Sequence, residues 1–336
     1  MFLNIVLLIL GIALLIIGGN WFVSSAIDFG KKTKIPSIIV GATIVSIATT
    51  LPELLVSTIS AAKGSFGLSI GNAAGSVICN TALIAGLSIA FMPTVLKEKD
   101  NPIKYAILIL STVLLFVFAI SFNANYVITW YEACVLLATF ILFMTINIIE
   151  AKNTTKQLKL EALNKKKKPS QEETTENLKW WKIILFFILG AAGVAGGAIL
   201  TVNNAEEIAR AIGISDTFIG LTIAAIGTSL PELVSTIISI KKKNSEIGYG
   251  NIIGANILNL TLVVGLSGVI SGATGLALST LTFAVSLPFV ILISLVFLVP
   301  IMTKQRTYRW QGILLLSLYA CYMIYLIVAT INGLVV

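Results

Sequence analysis

The chain has no histidine and only three cysteines, Cys79, Cys134 and Cys321, none in CxxC spacing. Zinc sites, haem attachment and histidine-based proton transfer therefore lack their ligands and carriers. Charge is scarce too: 11% of the 336 residues are charged and 57% are hydrophobic. A water-soluble domain carries about 25% charged residues to cover its surface, so that class is excluded. What remains is a membrane chain. Apolar runs of about 18 residues or more read as spans, and they recur along the whole length. Met1 to Asn20 carries no charge, and no small-x-small cleavage site follows before Trp21. This segment lacks the basic n-region of a signal peptide and reads as a retained first span. The three cysteines all fall in apolar stretches and read as small buried hydrophobes.

Ten spans are predicted, at 2–27, 36–62, 67–93, 103–121, 126–149, 181–203, 216–240, 246–271, 279–302 and 310–333. Spans 2, 3, 7 and 8 are rich in Gly, Ser, Thr and Asn, the composition of helices that pack closely and line a polar path. Orientation follows from the basic residues, which collect on the cytoplasmic side. With both termini outside, 21 of the 23 Lys and Arg fall in inside loops, and only Lys63 and Arg210 fall outside. The net charge of +8 then serves topology and anionic lipid, not nucleic acid. The hydrophilic stretch 151–180, with the run Lys165 to Lys168, reads as a mobile cytoplasmic linker. It separates a first half, 1–150, from a second, 181–336.

The halves repeat at a constant offset of 179 residues. Residues 41–60 read GATIVSIATTLPELLVSTIS and residues 220–239 read GLTIAAIGTSLPELVSTIIS, with eleven of twenty positions identical and no gap. The offset continues from Gly71, Asn72, Gly75 and Asn80 to Gly250, Asn251, Gly254 and Asn259. Five spans per half is an odd number, so the second half enters the membrane from the opposite side. The expected fold is all-α: ten helices as two inverted five-helix repeats. Such repeats with interrupted helices point to a transporter whose site lies at the midplane.

Glu53 and Glu232 are the acidic residues placed deep within spans. A carboxylate there costs about 3 kcal/mol or more, and it persists where it meets a cation or lines a wet cavity. Pro52 and Pro231 precede them. Neither proline has an N–H to return to the carbonyl four residues back. The helices should open, freeing carbonyls near Thr49 and Thr228 in mid-membrane, where they are tolerated only in a buried or cavity-lining position. Carboxylates, carbonyls and hydroxyls together form a hard-oxygen site. Calcium takes about 6–8 such ligands, whereas softer metals ask for His or Cys. The central charge of two carboxylates is matched by one Ca²⁺, two Na⁺ or two protons, which makes their occupancy mutually exclusive. Thr50-x-x-Glu53 and Ser229-x-x-Glu232 also fit the capping-box pattern of a half-helix starting after the break. Ser76 and Asn80 share a helix face, Asn259 repeats Asn80, and Ala255 replaces the serine. Gly71, Gly75, Gly250 and Gly254 have small-xxx-small spacing and read as close-packing positions.

The paired TxLPE segments, each followed by a GNxxG span, resemble the two alpha repeats of the sodium/calcium exchangers in the calcium/cation antiporter superfamily, in a prokaryotic-type member. The resemblance covers both repeats and the ten-span plan. It implies a secondary antiporter, not an enzyme, that moves Ca²⁺ and Na⁺ without a cofactor. It implies that Glu53 and Glu232 ligate calcium with the backbone carbonyls of Thr49 and Thr228. Thr50, Ser229 and Ser76, with backbone oxygens of Ser46 and Ala225, would form flanking sodium sites, and Asn80 and Asn259 would surround the centre. Asn259 stands where some prokaryotic and potassium-dependent members of the family carry aspartate, and Ala255 where a serine hydroxyl is expected. The remaining expectations are the plasma (inner) membrane of a prokaryote, a lipid environment, and a monomer sufficient for transport. A proton/calcium antiporter and a cation channel are the competing readings.

Overall fold

Long apolar segments without an interior proline give long helices. In the computed structural model, which describes residues 1–93, 102–121, 126–164, 179–213 and 225–332, α1 (Phe2–Thr33) is one unbroken helix of 32 residues. It stops where Lys34 turns left-handed at φ 60° and returns its N–H to the Gly30 carbonyl. Pro36 then bars continuation.

Among the described residues the longer helices that follow are α2 (Ser37–Thr49) and α3 (Leu51–Ala62), bent by 47° at the break between them; α4 (Phe66–Phe91); α5 (Ile103–Ser121); α6 (Trp130–Asn164); α7 (Trp180–Ala211); α8 (Leu230–Lys241); α9 (Ser245–Thr274); α10 (Thr282–Lys304); and α11 (Arg309–Ile331). The chain is thus an all-helical polytopic membrane protein. Among the described residues eight helices are long and apolar enough to cross a membrane, nine counting the bent α2–α3 pair. The predicted span 216–240 falls partly outside the described residues, and α8 is its inner part.

Three long helices overrun their predicted spans. α1 and α7 continue past residues 27 and 203, and α6 continues to Asn164. Residues 151–164, expected as linker, are therefore helical. A polar sequence without Pro or Gly extends a helix already nucleated by the span before it. Residues 165–178 lie outside the described residues.

Burial sorts the helices into a centre and a rim. The most apolar 18-residue windows of α9 and α4 are 83% and 72% buried, against 22% for α1 and 28% for α7. Phe2, Ile9, Leu142, Ile188 and Ile313 stand exposed on the outside, as a lipid-facing surface requires. The same surface corrects the cysteine expectation. Cys79 is buried, but Cys134 and Cys321 are exposed, because lipid satisfies an apolar thiol as well as a core does.

α1 and α7 lie against each other through glycines. A methyl group at Gly18 would sit 2.8 Å from the backbone of Gly193, and one at Gly197 would sit 2.7 Å from the Leu15 nitrogen. Short contacts join the helix ends. Val127–Ile128, at the start of the predicted span 126–149, pairs antiparallel with Leu276–Ala277. Lys104 and Glu150 pair at 3.3 Å, and the Thr155 hydroxyl reaches the Lys34 carbonyl at 3.4 Å.

Candidate functional site

Both glutamates enter on the first turn of a helix that follows a break, Glu53 on α3 and Glu232 on α8, with Pro52 and Pro231 just ahead of them. Each is 0% exposed. In the second half, Ser229 N–H returns to Ile226 and Leu233 N–H to Ser229. Among the described residues no hydrogen bond ends on the Thr228 carbonyl, as the proline break predicts.

The two halves interlock. α3 packs against the segment Asn259–Val263 of α9, and α8 packs against Cys79–Ala85 of α4. Both segments are π-helical and begin at or beside the repeated asparagines. A third π-helical segment, Gly41–Val45, leads into Thr49 and Thr50. The wider π turn re-aims side chains and recurs at functional sites. Nothing in the residue pattern announces it, so the sequence reading missed all three.

Around the two carboxylates lies a set of oxygens with little else to bind. Glu53 faces Ser76 and the carboxylate of Glu232, and Glu232 faces Thr49 and Thr50. Thr50 Oγ1 lies 3.5 Å from Glu232 Oε1, at the limit of a hydrogen bond. Both oxygens of Glu53, Oε2 of Glu232, the hydroxyls of Ser76 and Ser229, and the side-chain amides of Asn80 and Asn259 are buried with no hydrogen-bond partner among the described residues. Buried polar groups are nearly always paired, and an unpaired buried carboxylate is more costly still. Convergence of so many unpaired oxygens suits a hard cation as cargo. Among the described residues no group of three His, Cys, Asp or Glu exists, so the negative charge of the site is that of the two glutamates.

The other expected site residues fall as follows. Thr50 and Ser229 make no side-chain cap on α3 or α8, which corrects the capping-box expectation. The Thr50 hydroxyl turns to Glu232 instead. The Ser46 carbonyl accepts the Thr50 N–H at 2.9 Å and lies 3.3 Å from the Thr49 hydroxyl. Ala225 opens the short helical turn Ala225–Gly227, and Ala255 is fully buried.

The glycine expectation holds at Gly250 and Gly254. A methyl group at Gly250 would overlap the Ile38 carbonyl oxygen, and one at Gly254 would lie 2.5 Å from that of Ala42. Their repeat mates Gly71 and Gly75 would meet nothing within 4 Å among the described residues, and both are partly exposed.

Two residues outside the expected set join the network. Asn251 accepts from Thr49 Oγ1 at 3.1 Å and donates to Ser235 Oγ at 2.9 Å. Asn72 donates to Ser57 Oγ at 3.0 Å. The signal was present in the sequence: both asparagines keep register at the 179-residue offset, although the repeat match was read there only as a repeat.

The family model described as sodium/calcium exchanger protein matches residues 3–149 and 182–328. The chain is 31% identical to the sodium/calcium exchanger MaX1 of Methanosarcina acetivorans, over 96% of this chain and 98% of that one. It is 32% identical to an uncharacterized membrane protein of Methanocaldococcus jannaschii, over 93% and 94%. The fold is similar to that of the sodium-calcium exchanger NCX_Mj soaked with Na⁺ and Sr²⁺, with a TM-score of 0.79 at 30% identity, covering 96% of this chain and 97% of that one. A match of both halves to one family, carried through nearly the full length of its relatives, makes the chain a member of the sodium/calcium exchanger family, whose proteins are membrane transporters and not enzymes.

Proposed function

We propose that this chain exchanges Ca²⁺ for Na⁺ by alternating access around one site, built from ten spans in two inverted repeats. The observation that carries the reading is the buried pair Glu53 and Glu232 amid unpartnered Ser, Thr and Asn oxygens. Their charge balances one Ca²⁺ or two Na⁺, so loading one ion class excludes the other. In this reading Glu53, Glu232 and the carbonyls of Thr49 and Thr228 hold calcium. Thr50, Ser229, Ser76 and the carbonyls of Ser46 and Ala225 serve sodium, with Asn80 and Asn259 beside the centre. The relative MaX1 is named a sodium/calcium exchanger, which supports the ion pair chosen.

α2 is seated on Gly250 and Gly254 of α9, on the side that the positive-inside orientation makes cytoplasmic. An inverted repeat lets its two halves exchange roles, which presents the same site to the other side of the membrane.

The test is calcium uptake by the purified chain in proteoliposomes under sodium, potassium and proton gradients applied in turn. Uptake should follow the outward-directed sodium gradient alone. Uptake driven by a pH gradient without sodium would replace this reading with a proton/calcium antiporter, and flux needing no counter-ion would indicate a channel.

Position 255 tunes the sodium limb. Ser76 presents a hydroxyl to Glu53, whereas its mate Ala255 presents only a methyl. Ala255→Ser is expected to lower the sodium concentration for half-maximal exchange about two- to five-fold, the worth of one neutral hydrogen-bonding oxygen, with calcium dependence nearly unchanged. An unaltered sodium dependence would show that position 255 does not face the ion.

A further inference from the structure

α4 and α9, the two most buried of the long helices, meet where the π-helical segment of each packs against the other. A hydrogen bond spans this meeting. Asn256 Nδ2 on α9 donates to Thr81 Oγ1 on α4 at 2.7 Å, and both residues are 0% exposed. Its two ends lie beside the amides expected around the cargo. Thr81 follows Asn80 inside the segment Cys79–Ala85, and Asn256 stands one turn before Asn259, where the segment Asn259–Val263 begins. The amides of Asn80 and Asn259 have no hydrogen-bond partner of their own among the described residues. Their positions are therefore set by the backbones that carry them. Apolar packing around those backbones is non-directional, whereas a hydrogen bond fixes both distance and angle.

The repeat does not require this bond. At the offset of 179 residues Thr81 becomes Leu260 and Asn256 becomes Val77, both apolar and 0% exposed. The fold thus accepts apolar side chains at the equivalent positions. On the polar side, Asn256 Oδ1 is buried with no hydrogen-bond partner among the described residues, a cost that Val77 does not carry. Stability alone does not account for a half-unpaired amide where an apolar residue fits. Its place between Asn80 and Asn259 does. We propose that Asn256 is a specificity-determining positioning residue: through Thr81 it pins α9 to α4, holds Asn80 and Asn259 at a set separation, and so sizes the central site for Ca²⁺ against larger alkaline-earth cations. Discrimination among hard cations depends on cavity size, ligand number and flexibility, and the bond acts on size and flexibility. The proposal rests on the calcium/sodium reading above and names what sets its choice among divalent ions.

The experiment measures sodium-driven uptake of Ca²⁺ and of Ba²⁺ by the full chain in proteoliposomes. The parent should take up Ca²⁺ at a lower half-maximal concentration than Ba²⁺. The double variant Thr81→Val with Asn256→Leu replaces both partners by apolar groups of similar shape and leaves no orphaned donor. It should bring the two half-maximal concentrations about five-fold closer, the worth of one neutral hydrogen bond, with the maximal calcium rate nearly unchanged. Thr81→Ser keeps the hydroxyl and should keep the parent's ratio. A loss of folded protein lowers both uptakes alike and leaves the ratio where it was, so the ratio reads positioning and not folding. Thr81→Val alone gives the same reading if the double variant does not fold. An unchanged ratio in a folded variant without the bond, an equal change in Thr81→Ser, or a parent that does not prefer Ca²⁺ to Ba²⁺ overturns the proposal. Absence of sodium-driven calcium uptake in the parent would instead overturn the exchange reading, and the proposal with it.

Discussion

Glu53→Gln and Glu232→Gln should each abolish calcium exchange. Each removes one of the two carboxylates in a buried oxygen cluster, and the lost group is charged where its remaining neighbours are neutral. A hydrogen bond or ligand contact to a charged group contributes about 1.5–3 kcal/mol, and a single charge can no longer balance a divalent ion. Together these predict a loss of calcium affinity of at least about a hundred-fold. The check is calcium binding by the detergent-solubilised variants together with uptake in proteoliposomes. Since Gln is isosteric and removes a costly buried charge, the variants should fold at least as well as the parent. Near-normal exchange in either folded variant would falsify a site shared by the two glutamates.

The second large effect is expected at Gly250. A methyl group there overlaps the Ile38 carbonyl oxygen, and the neighbouring amide of Ala42 lies 3.0 Å away. Backbone cannot give way as a side chain can, so overpacking should cost about 1–3 kcal/mol or more. The cost falls on the inner-closed state alone. Gly250→Ala should therefore favour the inward-open state by roughly ten- to a hundred-fold. Protease or thiol-reagent access from the inside, compared between the variant and the parent, decides it. Equal access in the two would mean that the seating of α2 on Gly250 does not distinguish the states.

Much of this was legible along the chain, for identifiable reasons. Hydrocarbon allows backbone only in satisfied helices, so spans appear as unbroken apolar runs, and α4, α5, α9 and α10 begin within a few residues of the expected positions. Helix ends in water were less legible. The overrun of α6 to Asn164 depends on propensity and on nucleation by the preceding span, and lipid does not mark it. Glu53 and Glu232 stood out because a carboxylate in a span needs a reason, Thr49 followed from the break that Pro52 makes, and Ser76 and Asn80 from their spacing on one helix face. The π-helical turns at Gly41–Val45, Cys79–Ala85 and Asn259–Val263 left no such mark, because an extra residue per turn is a packing outcome spread over many side chains.

The sequence by itself determined that the chain is a membrane transporter-like bundle, that its halves repeat, and that one glutamate from each half is to be satisfied inside. It also determined two equivalent glycine faces and two equivalent asparagines, because the offset of 179 residues carries both. What it held no information about is how these equivalents pack. Only the tertiary structure decided that: α2 is seated on Gly250 and Gly254 with Thr49 bonded to Asn251, and the π-helical turns at the repeated asparagines lie against the helices that carry the glutamates. The physical reason is that a repeat describes both halves in the same terms, whereas packing depends on side chains that are far apart in the chain and meet only in the folded bundle.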